Sequence, residues 1–265
     1  TPSLCIIIAG LRLHFHGPSQ LFSGYFEDFQ ETESAQDADQ EIEFFTTPPA
    51  GNSYGKVLLR NSDMTIFENS DRYVVLFPQM SNIHQVHMSL DGSYVRFYCT
   101  PERSRLAQEN IFHAIRLFFL FIAQKHGKFA VHSASILYKE KAWLFSGHSG
   151  MGKSTHTRLW HELLQTPYLN GDLNLLGMED GKIIVYGIPW CGTSELYTTA
   201  DHKLGGIILL GRDPEKDFLQ ELASSEKIIR VMQRMISPSW KERFFSMNLE
   251  FAETVAEQVP VLHLL

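Results

Sequence analysis

The chain has 265 residues, 44% apolar and 20% charged, with a net charge of −7. That is enough chain for one large domain or two small ones, and the composition is that of an ordinary globular protein. Eight acidic residues and no Lys or Arg lie between Glu27 and Glu43, so the rest is close to neutral, and an acidic surface argues against nonspecific nucleic-acid binding.

Residues 4–16, "LCIIIAGLRLHFH", read as a strand or bent hairpin strand, and the acidic stretch to about Glu43 as a solvated loop. From 54 to 100, "KVLLR", "MTIFEN", "YVVLFP", "HQVHMSL" and "SYVRFYC" are short runs separated by turn signals. They predict an antiparallel meander, with Asp91-Gly92 as its best hairpin turn. Pro101 ends the strands, and a long helix follows and stops at Gly127. Leu106, Ile111, Ile115, Phe118, Phe119 and Ile122 fall near helical spacing. The helix is apolar on more than one face, which predicts burial between the N-terminal sheet and the C-terminal part of the chain. "AIRLFFLFIA" within it is shorter than the ~18 apolar residues of a membrane span and contains Arg116, so no membrane association is expected.

Beyond Gly127, strands are predicted at 129–138, 142–147, 169–176, 182–189, 205–211 and over the final "PVLHLL". Helices are predicted at 153–164, 225–236 and 248–258. The division expected is a β-rich region over 1–102, a connecting helix over 103–127 and a mixed-sheet α/β domain over 128–265. Cys5, Cys99 and Cys191 are odd in number and contain no CxxC, which fits a reducing, cytoplasmic setting without structural zinc.

Residues 147–155 read "GHSGMGKST" and satisfy G-x-x-x-x-G-K-[ST] between a predicted strand and a predicted helix. Glycines let successive backbone N–H groups turn toward phosphate oxygens, and the helix start adds partial positive charge. Gly147, His148, Ser149, Gly150, Met151, Gly152, Lys153, Ser154 and Thr155 are therefore the expected nucleotide-binding residues. Lys153 would reach the outer phosphates and the Ser154 hydroxyl would ligate Mg²⁺. Asp172, in "LNGDLNLL", follows Lys153 by 19 residues, room for one helix and a return strand, so its carboxylate is placed beside the phosphates as metal ligand or base. The bland alternative to this favoured reading is a turn residue of "NGD". No N-K-x-D base-reading motif follows, which argues against a switch GTPase.

"FAVHSASILYKEKAWLFSGHSGMGKSTHTRLW", "LNGDLNLL" and "YGIPWCGTSELY" together resemble the C-terminal catalytic domain of the HPr serine kinase family. The resemblance is closer to the bacterial HPr-kinase-related proteins, whose fold is similar to the nucleotide-binding part of phosphoenolpyruvate carboxykinase. It covers residues 128–211 well and the C-terminal third loosely, and does not extend to residues 1–100. The resemblance implies an HPr-kinase-like P-loop fold, ATP and Mg²⁺ as cofactors, and transfer to a serine hydroxyl of a peptide or protein acceptor. Asp172 would be general base and metal ligand, and His132 would lie near the transferred phosphate. Where the family carries two adjacent aspartates, this chain has Gly171-Asp172, with Asn170 and Asn174 as nearby candidates to assist. His132 read alone is more often a satisfied core residue, and the resemblance brings the two readings level. Trp190, in "GIPWCGTSE", is either a wall of the acceptor site or a packed turn, and Cys191 reads as an inert thiol. His156 is expected on an exposed first turn, and Arg158 faces the site or forms a surface ion pair. A small-molecule kinase on the same scaffold and a nucleotide-binding regulatory protein are the alternative functions, and the resemblance leaves oligomerisation open.

Overall fold

The structure is a computed structural model and describes residues 2–32, 36–51 and 53–265. The chain is mixed α/β, with mixed sheets and, among the described residues, four α-helices. It divides into two compact units, Thr1–Ala123 and Gln124–Leu265.

The first unit carries β1 (Leu4–Ile8), β2 (Leu11–His16), β3 (Gln40–Phe45), β4 (Lys56–Arg60), β5 (Thr65–Glu68), β6 (Arg72–Leu76), β7 (Ile83–Ser89) and β8 (Tyr94–Cys99), in the order β1-β2-β3-β8-β7-β6-β5-β4. The 4–16 segment is a hairpin turning at Ala9 and Gly10, both at positive φ, and β4 to β8 form the expected antiparallel meander. The acidic stretch departs from its expected solvated loop. Its last part is β3, which lies parallel to both β2 and β8 inside the sheet. "QEIEFF" alternates, so Gln40, Ile42 and Phe44 are buried while Glu41 and Glu43 point the other way. There Glu41 pairs with His14 and His16, and the Tyr94 hydroxyl donates to Glu43. Local pairing partners, which composition cannot reveal, are what let a charged strand sit centrally.

Helix α1 (Arg105–Lys125) packs on this sheet through Phe118 against Phe97 and Phe121 against Tyr73, with ring centroids 5.5 and 5.8 Å apart. The buried Gln40 amide donates to the carbonyls of Gly92 and Phe118 at 2.8 and 3.0 Å. Gly92 is obligatory at its turn, since its φ is +78° and an added Cβ would lie 2.5 Å from Phe121. Contrary to expectation, α1 is long and apolar enough to cross a membrane by length and composition, yet 61% of its most apolar window is buried in protein. It is a core helix of this fold.

His87 on β7 gives the first unit a pH-dependent stability. Arg72 Nη1 lies 3.2 Å from His87 Nδ1, and an arginine only donates, so Nδ1 accepts. Nε2 then keeps its proton and donates to Gln85 at 2.6 Å. Burial first, then the charges of Arg72 and Arg96, lower the imidazole from 6.5 to about 4. The unfolded chain takes up this proton below 6.5 while the folded chain resists it until about 4. Stability therefore falls as pH drops through that interval. Urea midpoints measured across it are expected to decline more steeply in the wild type than in His87→Gln; equal slopes would remove His87 from the account.

The second unit contains β9 (Lys128–His132), β10 (Ala134–Tyr138), β11 (Lys141–Ser146), α2 (Lys153–Leu164), β12 (Tyr168–Asn170), β13 (Leu173–Glu179), β14 (Lys182–Tyr186), β15 (His202–Leu210), β16 (Leu219–Glu221), α3 (Ser224–Met232), α4 (Glu242–Gln258) and β17 (Val261–Leu264). The sheet runs β12-β10-β11-β15-β14-β13-β9, with β17 beside β15 and β16 beside β17. The pairs β11–β15 and β15–β17 are parallel and the others antiparallel. Strand alternation feeds two cores. Ala142 and Leu144 join Val231 of α3 and Phe251, Ala252 and Val255 of α4, whereas Phe145 joins Trp160 of α2. Two segments expected as single strands are each broken, 129–138 at Ser133 and 169–176 at Gly171-Asp172. The last helix starts at Glu242, earlier than residue 248.

Candidate functional site

β11 runs up a parallel pairing with β15 and ends at Ser146, and the next six residues form a loop opening directly into α2. Gly150 and Gly152 sit at φ +80° and +96°, the conformation that turns amides inward, and a Cβ at Gly150 would meet open space. The loop is closed on itself: Met151 N–H donates to the His148 carbonyl at 3.1 Å, and Lys153 Nζ to the Gly147 carbonyl at 3.1 Å. Arg212, just past β15, donates to the Gly150 carbonyl at 2.6 Å. α2 begins with no side-chain cap and no acidic residue in its first turn. Its orphan N–H donors and positive end are left for an anion, and Ser149, Ser154 and Thr155 are exposed at this mouth. Burial, and to a lesser degree the nearby Arg234 charge, holds the Lys153 ammonium below its ordinary value, while Asp172 pulls it back up.

The two strand breaks face each other. β9 pairs with β13 up to His132 opposite Leu173, and β10 pairs with β12 from Ser135 opposite Asn170. Ser133 N–H donates to the Asp172 carbonyl at 3.0 Å across the gap. Asn170 Oδ1 accepts from the N–H groups of Asp172 and Leu173 at 2.9 and 3.0 Å, which forces the turn. Asn174 Nδ2 donates to the Ser133 carbonyl and Ser133 Oγ, and Ser135 Oγ donates to Asn174 Oδ1. Asn170 and Asn174 are therefore buried braces of the break. What they present is a pair: His132 Nε2 lies 2.9 Å from Asp172 Oδ1. Ser146 Oγ, immediately before the loop, donates to the His132 carbonyl at 2.6 Å and ties the pair to the glycine-rich loop. Gly192 closes over the carboxylate, where a Cβ would stand 2.8 Å from Asp172 Cγ.

No family model matches the chain, and no curated protein matches it. Among solved structures it is similar to the HPr(Ser) kinase/phosphatase from Coxiella burnetii, with a TM-score of 0.27 and 14% identity. The match covers 34% of this chain and 69% of that one. A likeness of that size carries no mechanism, so chemistry is argued from the site.

The remaining candidates sort themselves by burial. Trp190 is 1% exposed, and its carbonyl accepts from Asn170 Nδ2 at 2.9 Å, so it is a packed turn and not an acceptor wall. Burial raises the Cys191 thiol, in keeping with an inert cysteine. Arg158 makes an exposed ion pair with Glu162 at 3.7 Å. His156 is not simply exposed; it stacks on Phe145 at 5.8 Å, and burial lowers its pKa. Arg212 and Arg234, both against the loop, are invisible to local motif reading because they arrive from elements 62 and 86 residues away from their loop partners.

Among the described residues no group of three or more His, Cys, Asp or Glu stands ready for a metal. Mg²⁺ commonly takes one or two carboxylates plus substrate phosphates, and Asp172 offers one carboxylate within electrostatic reach of Lys153. The uncapped helix start and the desolvated lysine fit a polyphosphate.

Proposed function

We propose that this chain is an ATP- and Mg²⁺-dependent phosphotransferase of the HPr-kinase-like type, cytoplasmic, acting on a serine hydroxyl of a peptide or protein. The single observation that carries this reading is the Asp172–His132 pair, tied by Ser146 to a phosphate loop and electrostatically coupled to Lys153.

Phosphoryl transfer depends on positioning and charge neutralisation more than on covalent chemistry by the protein. In this reading the loop amides and Lys153 hold the β- and γ-phosphates. Ser154 and Asp172 would hold Mg²⁺, which would supply neutralisation of the phosphate charge. Asp172 receives the proton of the acceptor hydroxyl as its oxygen bonds to Pγ, and the bond from Pγ to the β–γ bridging oxygen breaks, releasing ADP. His132, with its proton on Nε2, donates to Oδ1 and fixes the carboxylate's rotamer.

A regulatory nucleotide-binding role is favoured by one observation: the position next to Asp172 is a glycine, leaving a single carboxylate. Incubation with Mg-ATP and serine-containing peptide or protein fractions separates the readings. Phosphoserine with stoichiometric ADP is expected. Tight ATP binding with neither transfer nor hydrolysis would transfer the assignment to the regulatory role.

A further inference from the structure

A cavity of about 790 Å³ lies where the glycine-rich loop runs into α2, a volume within the about 300–1,000 Å³ of small-molecule sites. One wall is Met151 of the loop with Thr155 and His156 of the first turn of α2. The other is the segment 211–217 that follows β15, together with the end of β17 at Leu265. That second wall is held in place by its own bonds. Gly211 N–H donates to the Leu264 carbonyl at 2.7 Å, and Phe218 and Leu265 exchange both backbone bonds at 3.1 and 3.0 Å. Asp213 Oδ1 accepts from the N–H groups of Glu215 and Lys216 at 2.8 and 3.2 Å. Arg212 joins this wall to the loop through its bond to the Gly150 carbonyl. On the opposite side His156 is fixed by its stacking on Phe145. Burial holds its imidazole below the ordinary pKa, with Asp217 opposing, so the ring is neutral at neutral pH. Asp217 itself is exposed at the cavity, and among the described residues no donor makes a hydrogen bond to its carboxylate.

The lining decides the occupant. Neither His132 nor Asp172 borders the cavity, so an acceptor hydroxyl placed there would not meet the pair. The pair is joined to the entry of the loop, through the bond from Ser146 to the His132 carbonyl, whereas the cavity borders the loop's exit at 151–156. A polyphosphate laid along the loop with its terminal group at Asp172 therefore has its other end at the cavity. What continues from that end is not a further phosphate. Asp213 and Asp217 repel one, and the Arg212 guanidinium is engaged by the Gly150 carbonyl. Met151, Pro214 and Leu265 offer apolar surface instead, and a carboxylate such as Asp217 accepts hydrogen bonds but donates none. We propose that this cavity is the nucleoside subsite of the chain. It takes the adenosine of ATP, with the base against Met151, Pro214 and Leu265 and its exocyclic amine donating to Asp217.

This inference rests on the nucleotide-binding reading above, and its test separates the two. Calorimetric titration with Mg²⁺ compares three ligands on wild type and Asp217→Ala. They are inorganic tripolyphosphate, the non-hydrolysable β,γ-imido analogue of ATP, and the same analogue built on purine riboside, which lacks the amine. Wild type is expected to bind the ATP analogue about tenfold or more tighter than tripolyphosphate, with the purine analogue between them. Asp217→Ala is expected to lose about fivefold or more for the ATP analogue and to leave the other two within about twofold, as befits removal of one charge-assisted contact. Irradiation of wild type with 8-azido-ATP is expected to label peptides from 151–156, 211–218 or 261–265. Wild type that binds none of the three ligands sinks the nucleotide reading itself. Tripolyphosphate bound as tightly as the ATP analogue, or an azide label carried elsewhere, overturns the cavity while leaving the loop as a phosphate site. Asp217→Ala that weakens all three ligands equally, or none, removes the amine contact and with it the proposal as stated. Should Asp217→Ala melt early, the purine analogue on wild type decides the amine contact, since affinity equal to that of the ATP analogue overturns it.

Discussion

Asp172→Asn is expected to lower kcat for serine phosphorylation by about a thousandfold, within the range lost when a positioned general base is removed. The substitution is close to isosteric, and the backbone of Asp172 is held without its side chain, by Asn170 Oδ1 on its N–H and by the Ser133 N–H on its carbonyl. The fold should therefore survive, and melting temperature checks that. Two roles of the carboxylate predict different kinetics. As the base, its loss lowers kcat with little change in the KM for Mg-ATP, and excess Mg²⁺ restores nothing. As a metal holder alone, its loss raises the Mg²⁺ requirement, and high Mg²⁺ brings the rate back. Full recovery at high Mg²⁺ would strip Asp172 of the proton-accepting role while leaving the site intact.

The strand–loop–helix geometry over 141–164 was legible because its signals are local: the glycines, the lysine and the flanking apolar runs lie within one short window. The Asp172–His132 contact was not. Nothing in spacing joins residues 40 apart, and only the resemblance to a known kinase domain placed them near one another. The two strand breaks were missed for a related reason. "FAVHSASILY" and "LNGDLNLL" keep an apolar pattern straight through Ser133 and Gly171-Asp172. What stops the strands is a set of side-chain bonds from Asn170, Asn174, Ser133 and Ser135. Those bonds require both segments at once, so neither window contains the signal. β3 was hidden in the same way, its glutamates suggesting solvent until His14, His16 and Tyr94 came alongside. In each case local propensity was overridden by partners supplied from elsewhere in the chain.

Gly171→Asp would add a second carboxylate next to Asp172, yet it is expected to destabilise the protein by about 1–3 kcal/mol or more and to lower activity. The obstacle is space and not backbone conformation, since Gly171 is not at positive φ. A Cβ there would lie 2.0 Å from Ser194 Oγ and 2.2 Å from Ser194 Cβ. Ser194 cannot simply rotate away. Its hydroxyl donates to the Cys191 carbonyl at 2.6 Å and accepts from the Leu196 N–H at 3.2 Å, while Gly171 N–H donates to the Leu196 carbonyl at 3.0 Å. The turn over 191–196 is therefore built on the bare face of Gly171, and it also carries the Gly192 that closes over Asp172. Pushing Ser194 outward would lift that cover. Gly171→Ala should cost nearly as much as Gly171→Asp, because the clash begins at Cβ. Ser194→Gly should relieve either substitution, whereas Ser194→Ala should not, because its Cβ remains in the way. A urea-unfolding double-mutant cycle measures this coupling. If Gly171→Asp is instead well tolerated and faster than wild type, the turn yields more readily than its bonds indicate. The single carboxylate would then be a deficit in this chain and not a consequence of how residues 191–196 pack.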